Sequence, residues 1–298
     1  MKNYPIDPEI KKYCRNIPFS PLLLLLAKPA LKAMYFATPI EKGVRHEKSF
    51  LETKDGRLRL DVFSPENDRD DMPVLFYLHG GGFGYSASPF HKKLAALYAK
   101  KADCRVVCPD YRLLPKHPYP AAKNDCLWAY EQTVKKYPNS KIAVGGDSAG
   151  GALAIYVVNE SKKRPCFQML LYPVCDALQK TESMKEFTDT PFWNSVNNEK
   201  MWRLYSGEYT LEAVSPALTP VPKDVPDAYV EITSFDCLRD EGRQYAEKLK
   251  KSGAQVELAE PKNTVHGYDI ALGSRVVKEY VERRTSALRK AFSKESVS

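Results

Sequence analysis

Short apolar runs that alternate with helix-length segments constrain this chain more than any other feature. Val74 to Leu78, Val106 to Pro109, Ile142 to Val144, Met169 to Tyr172, Tyr229 to Thr233 and Val256 to Ala259 are compact and apolar, as strands covered on both faces must be. Between most of them lie segments long enough for helices: Pro89 to Lys101, Ala121 to Tyr137, Ala149 to Lys162 and Asp240 to Lys251. That alternation predicts an α/β fold with a mostly parallel sheet, helices on both faces and right-handed crossovers. Ahead of it, Lys48 to Thr53 and Leu58 to Phe63 alternate in polarity and are joined by Lys54-Asp55-Gly56-Arg57, an Asp-Gly hairpin signal. With 298 residues, 43% of them hydrophobic and 11% aromatic, the chain can fill such a core, which excludes collagen-like, coiled-coil and low-complexity architectures.

Two stretches stand outside the alternation: residues 1–45 and residues 176–209. Phe187, Phe192, Trp193, Trp202 and Tyr205 crowd the second. Neither reads as a strand. They are expected to pack together as a two-part helical cap over the carboxyl edge of the sheet, where open α/β folds bind ligands, leaving residues 46–175 and 210–298 as the α/β unit. The longest apolar run, Leu22 to Ala27, is closed by Lys28. It is far short of the roughly 20 residues a membrane span needs and reads as a surface or lid helix, so stable membrane insertion is not expected.

The net charge of +8 is spread along the chain. Its densest stretch, Arg275 to Lys290, holds six basic and two acidic residues, with Val276, Val277, Tyr280, Val281 and Leu288 at helical spacing. The charges there are expected on a solvated outer face, which argues against nucleic-acid binding. Seven cysteines, an odd number with no C-x-x-C pair, form no disulfide framework or zinc motif and suit a reducing, cytoplasmic setting.

Chemistry is written most clearly in Gly146-Asp147-Ser148-Ala149-Gly150-Gly151, between an apolar strand and a helix rich in Ala, Leu and Val. G-x-S-x-G in that context is a nucleophile elbow, whose small residues let a tight turn lift the serine hydroxyl clear of the sheet. A serine hydroxyl is a poor nucleophile without a base and an orienting acid. Of five histidines only His266 follows the elbow, just past the last strand. Asp236 lies in the loop after the preceding strand, giving the chain order Ser, Asp, His. Asp240 and Glu241 compete for the acid's role, but they fall in the first turn of the next helix, where acids favour the dipole. Finally, His79-Gly80-Gly81-Gly82-Phe83 follows a strand directly. Three consecutive glycines let backbone N–H groups turn toward an oxyanion, and no Gly-Lys-Ser/Thr follows to suggest a phosphate cradle. His79 reads as a hydrogen-bonded residue beneath this loop.

These residues, with Asp110-Tyr111-Arg112-Leu113, Pro115, Pro120-Ala121-Ala122, Ser215-Pro216, Asp236 to Gly242 and His266-Gly267, resemble the hormone-sensitive-lipase-like group of α/β-hydrolase carboxylesterases from roughly Pro73 to Tyr268. The resemblance implies an eight-stranded sheet, a cap built from the N-terminal segment and an insertion after the sixth strand, a Ser148, Asp236, His266 triad, and an oxyanion hole of the Gly81, Gly82 and Ala149 N–H groups. Two departures stand out: Cys237 where proline usually follows the acid, and Tyr268 where phenylalanine is common. Proline would have fixed φ, so Cys237 is expected to loosen the acid loop.

The expected reaction is hydrolysis of short to medium acyl esters through an acyl-enzyme on Ser148, with Phe83, Tyr85 and Tyr111 among the residues lining the substrate pocket. No metal or organic cofactor is called for, and the partner is a small-molecule ester. Deacetylation of small metabolites or sugars uses the same machinery. A non-catalytic receptor on this fold is disfavoured because the base is retained, and peptide hydrolysis because no large accessory domain is present. The resemblance also allows a homodimer through an edge strand or the final helix.

Overall fold

The computed structural model describes residues 2–294. The chain builds its sheet outward from a hairpin of β1 (Val44–Thr53) and β2 (Gly56–Pro65), in which Thr53 pairs with Gly56 across the two-residue loop Lys54-Asp55. Gly56 takes a φ of 121°, which glycine adopts without strain, and the Thr53 hydroxyl closes the turn on the Gly56 carbonyl at 2.7 Å. Six strands follow: β3 (Val74–Leu78), β4 (Arg105–Pro109), β5 (Ile142–Asp147), β6 (Phe167–Leu171), β7 (Ala228–Glu231) and β8 (Val256–Ala259). The sheet order is β1-β2-β4-β3-β5-β6-β7-β8, with β2 antiparallel to β1 and β4 and every pair from β4 to β8 parallel. A mostly parallel sheet is what the alternation predicted, and eight strands are what the resemblance implied.

The period-2 rule divides each central strand between two cores. Val74, Phe76 and Leu78 face one core, which is completed by α4 (Ala121–Lys136), α5 (Ala149–Glu160) and α8 (Arg239–Lys251). Leu75 and Tyr77 face the other, beneath α3 (Pro89–Ala102) and α9 (Arg275–Ser293). On α9 the structure corrects one expectation. Arg284 is fully buried rather than solvated, because it continues the buried stripe Val277, Val281 and Leu288 at spacings of three and four residues.

The N-terminal segment carries α1 (Pro8–Lys11) and α2 (Pro21–Ala37), and the segment between β6 and β7 carries α6 (Glu182–Glu186) and α7 (Ser195–Ser206). Ser20 caps α2, its hydroxyl accepting from Leu23 N, and Pro21 occupies the first helical position. The two segments are tied together. Asn197 exchanges hydrogen bonds with Phe19 N and Ile17 O, Tyr4 Oη donates to Asp189 at 2.7 Å, and Phe192 N donates to Arg15 O. Among the described residues no helix is long and apolar enough to cross a membrane.

Candidate active site

β5 ends at Asp147 and α5 begins at Ala149, so the turn between them falls on Ser148 alone. Ser148 is held at φ 55° and ψ −120°, a strained conformation for a residue with a side chain. Tight packing enforces it: a Cβ on Gly150 would lie 2.0 Å from the Leu78 carbonyl oxygen, so only glycine lets the helix start this close to β3. Ser148 N donates to Leu171 O of β6 at 2.9 Å, which fixes the elbow to the neighbouring strand.

His266 and Asp236 come from consecutive loops at the same sheet edge. Phe235 bridges to Val265 in parallel, with Phe235 N donating to Thr264 O at 2.9 Å, so the two loops form one small extension of the sheet. On this platform His266 Nδ1 stands 2.8 Å from Asp236 Oδ2 and His266 Nε2 stands 2.8 Å from Ser148 Oγ. The Asp236 carboxylate can only accept, so Nδ1 carries the proton and Nε2 is left to accept from the serine. Asp236 is itself fully buried, accepting from Thr233 Oγ1 at 2.8 Å and Leu238 N at 3.0 Å. Cys237, expected to loosen this loop, is buried, and its carbonyl accepts from Ser183 Oγ at 2.8 Å. Asp240 and Glu241 are engaged elsewhere: Asp240 accepts from Ser183 N, and Glu241 from the backbone N–H groups of Cys175 and Asp176.

Gly81, at φ 114°, turns the loop after β3, and its carbonyl accepts from both Gly84 N and Tyr85 N. The N–H groups of Gly81 and Gly82 donate to no backbone carbonyl among the described residues. Ala149, as the first residue of α5, has no carbonyl one turn earlier to donate to. Three backbone donors are therefore left around the serine.

Two residues that the sequence did not single out hold this loop. Asp147 is buried beside the serine and accepts from Gly80 N at 3.0 Å and Tyr77 Oη at 2.8 Å, and His91 Nε2 lies 3.2 Å from it. Burial alone would raise its carboxyl, but His91, Tyr77 and the nearby His79 outweigh that and hold it below the usual carboxylate value. His79 lies under the loop, its Nδ1 donating to Gly80 O at 2.7 Å. The available signals were the position just before the serine in the elbow motif for Asp147 and a capping-box position on α3 for His91, whose Nδ1 accepts from Ser88 N.

A cavity of about 430 Å³ opens over Ser148, His266, Gly81 and Gly82. Phe19, Leu23, Leu31, Tyr85, Phe192 and Trp193 line its walls, so both non-alternating segments contribute. Phe83 and Tyr111, expected here, lie behind the wall instead. Phe83 is fixed at φ 55° with its ring stacked 3.7 Å from Tyr205, and Tyr111 stacks on His79 and donates to His79 O at 2.6 Å. Both support the glycine loop from beneath, and the aromatic surface facing the cavity comes from Tyr85, as expected, with Phe192, Phe19 and Trp193, the last two meeting edge-on at 5.6 Å.

Known proteins share this sequence pattern and fold. A family model described as alpha/beta hydrolase fold matches residues 75–270. The esterase LipI of Mycobacterium tuberculosis is 35% identical over 215 residues, covering 67% of this chain and 67% of its own length. The carboxylesterase NlhH of the same species is 33% identical over 247 residues, covering 78% and 77%. Among solved structures, one titled Bacterial Heroin Esterase superposes with a TM-score of 0.87 at 27% identity, covering 97% of this chain and 98% of the other.

Proposed function

The chain belongs to the hormone-sensitive-lipase-like group of the α/β-hydrolase family and is a carboxylic ester hydrolase; from this we propose that Ser148, His266 and Asp236 are its catalytic triad, with Gly81, Gly82 and Ala149 as the oxyanion hole. One observation carries the assignment: an unbroken line of two 2.8 Å hydrogen bonds runs from Asp236 through His266 to Ser148 on the cavity floor. Ser148 Oγ attacks the ester carbonyl as His266 Nε2 takes its proton, and Asp236 holds the imidazole and stabilises its charged form. The backbone N–H groups stabilise the tetrahedral oxyanion, each contributing roughly 10²-fold to turnover. His266 then protonates the departing alcohol, and water repeats the sequence on the acyl-enzyme.

Residues 2–45 and 176–209 act as a cap over the unit of residues 46–175 and 210–294; residue 1 and residues 295–298 of the spans expected from the sequence lie outside the described residues. Their apolar walls, and a volume shared by both halves of the ester, support short to medium acyl chains. A cytoplasmic setting is supported by seven unpaired cysteines. The decisive experiment is Ser148→Ala, expected to lower nitrophenyl butyrate hydrolysis by at least about 10⁴-fold and to abolish fluorophosphonate labelling while leaving the fold intact. Retained turnover would overturn the triad, and a wild-type optimum on long acyl chains would overturn the chain-length reading.

A further inference from the structure

α2 is unusual for a helix on a water-facing surface. Leu22, Leu25 and Leu26 are 68%, 54% and 65% exposed, and Pro29 and Ala33 extend the same stripe at helical spacing. A contiguous exposed apolar face of this kind marks a place where something else binds. The stripe lies about two-fifths of a turn from Leu23, Ala27 and Leu31, which line the cavity. Whatever covers it therefore sits beside the substrate chamber.

Charge indicates the occupant. From Ile10 to Ile40 the chain carries Lys11, Lys12, Arg15, Lys28 and Lys32 and no acidic residue. Lys28 turns its ammonium to the Leu114 carbonyl and Lys32 pairs with Asp110 at 3.1 Å, so they border the stripe on its polar side. Lys11, Lys12 and Arg15 are exposed. A leucine stripe flanked by basic residues, on a helix too short to span a bilayer, is the pattern of a helix lying in the plane of a lipid surface. We propose that α2 docks the protein peripherally on anionic lipid bilayers, with the Leu22, Leu25 and Leu26 side chains among the acyl chains and the N-terminal basic residues against the headgroups. The docked helix sets the cavity wall at the membrane surface, so that sparingly soluble esters can reach Ser148 from the lipid phase. The docking itself does not depend on the triad.

Flotation of the full chain with vesicles, in the absence of any ester, tests docking separately from catalysis. Vesicles of phosphatidylcholine mixed with phosphatidylglycerol are expected to bind the protein, less so as salt rises, and phosphatidylcholine vesicles to bind it weakly. The combined variant Leu22→Ser, Leu25→Ser and Leu26→Ser is expected to lose roughly tenfold or more in partitioning while keeping its rate on soluble nitrophenyl acetate. Lys11→Glu, Lys12→Glu and Arg15→Glu together are expected to abolish the preference for anionic lipid with α2 untouched. Failure of the wild-type protein to bind anionic vesicles, or undiminished binding by either variant, would overturn the proposal. So would a dimer in sedimentation velocity that the leucine variant converts to monomer, because a second copy would then cover the face.

Discussion

Two buried polar clusters flank the proposed catalytic line, one behind the serine and one behind the histidine, and they solve the same problem with opposite charge accounting. Behind the serine, a single carboxylate, Asp147, is surrounded by Gly80 N, Tyr77 Oη and His91. Behind the histidine, Arg284 sits between two carboxylates: its Nε meets Glu231 at 2.9 Å and its Nη1 meets Asp269 at 2.9 Å, and Tyr98 and Tyr268 hydroxyls complete the shell. Asp269 lies three residues past His266 and also accepts from Tyr172 Oη at 2.7 Å, and the Tyr172 ring meets the imidazole edge-on at 4.9 Å. The first cluster positions a loop with hydrogen bonds from a backbone amide and uncharged or titratable side chains. The second positions a loop with full charges that cannot be separated cheaply once out of water.

The largest expected effect follows from that difference. Arg284→Met should cost roughly 3–5 kcal/mol in urea unfolding, because it strands two carboxylates at 0% exposure without their cation. Combining Arg284→Met with Glu231→Gln and Asp269→Asn removes the charges together and should recover most of the loss. If the single and triple variants were equally unstable, packing rather than charge balance would be holding the base side.

The serine side should yield a kinetic effect with a smaller structural one. Asp147→Asn keeps an oxygen for Tyr77 but loses the acceptor that holds Gly80 N at 3.0 Å. Turnover should fall roughly 10- to 100-fold with little change in KM, since the oxyanion donors matter more in the transition state than in the bound ester. Stability should fall by only about 1–2 kcal/mol. A change confined to KM would mean that the glycine loop is positioned by something other than Asp147.

The same contrast explains what could be read in the sequence. The elbow and the proposed acid and base could be picked out because each is local: a strand, a tight turn or loop, and a chemically distinctive residue at its tip, and the structure places the three within hydrogen-bond reach. The sheet was legible because buried parallel strands leave continuous apolar runs. Arg284 was not, because a run of charges on α9 hides the phase that turns one of them inward, and only the spacing Val277, Val281, Arg284, Leu288 reveals it. Phe83 and Tyr111 were assigned to the cavity as aromatic residues of loops near the site, but the positive φ at Phe83 and the His79 stack at Tyr111 send both rings beneath it. Of the cavity walls, Tyr85 was legible and so was the joining of the two outlying segments, but the particular residues that meet there were not, since Phe19 and Trp193 pair from positions more than half the chain apart.

The smallest expected effect separates the serine-side cluster from the other by pH. His79, next to Asp147, has its pKa pushed from 6.5 down to about 4, first by burial and then by the neighbouring His91. The folded protein thus keeps His79 neutral where the unfolded chain has begun to bind a proton, so stability is complete above pH 6.5 and declines as pH falls toward 4. Between pH 7 and 5.5 this histidine should remove about 1 kcal/mol from the urea unfolding free energy. The Asp147 carboxyl, held below its usual value of 3.8, gives up its own contribution only below about pH 5, so it adds nothing to the slope between pH 7 and 5.5. His79→Gln, whatever its cost at pH 7, should reduce the slope between pH 7 and 5.5, leaving the part that His117, also held below its usual value by burial, supplies, whereas the triple variant at Arg284, Glu231 and Asp269 should leave it in place. A slope unchanged by His79→Gln would mean that the proton taken up on unfolding belongs to another group, and the loop beneath the oxyanion donors would then contribute no pH sensitivity of its own.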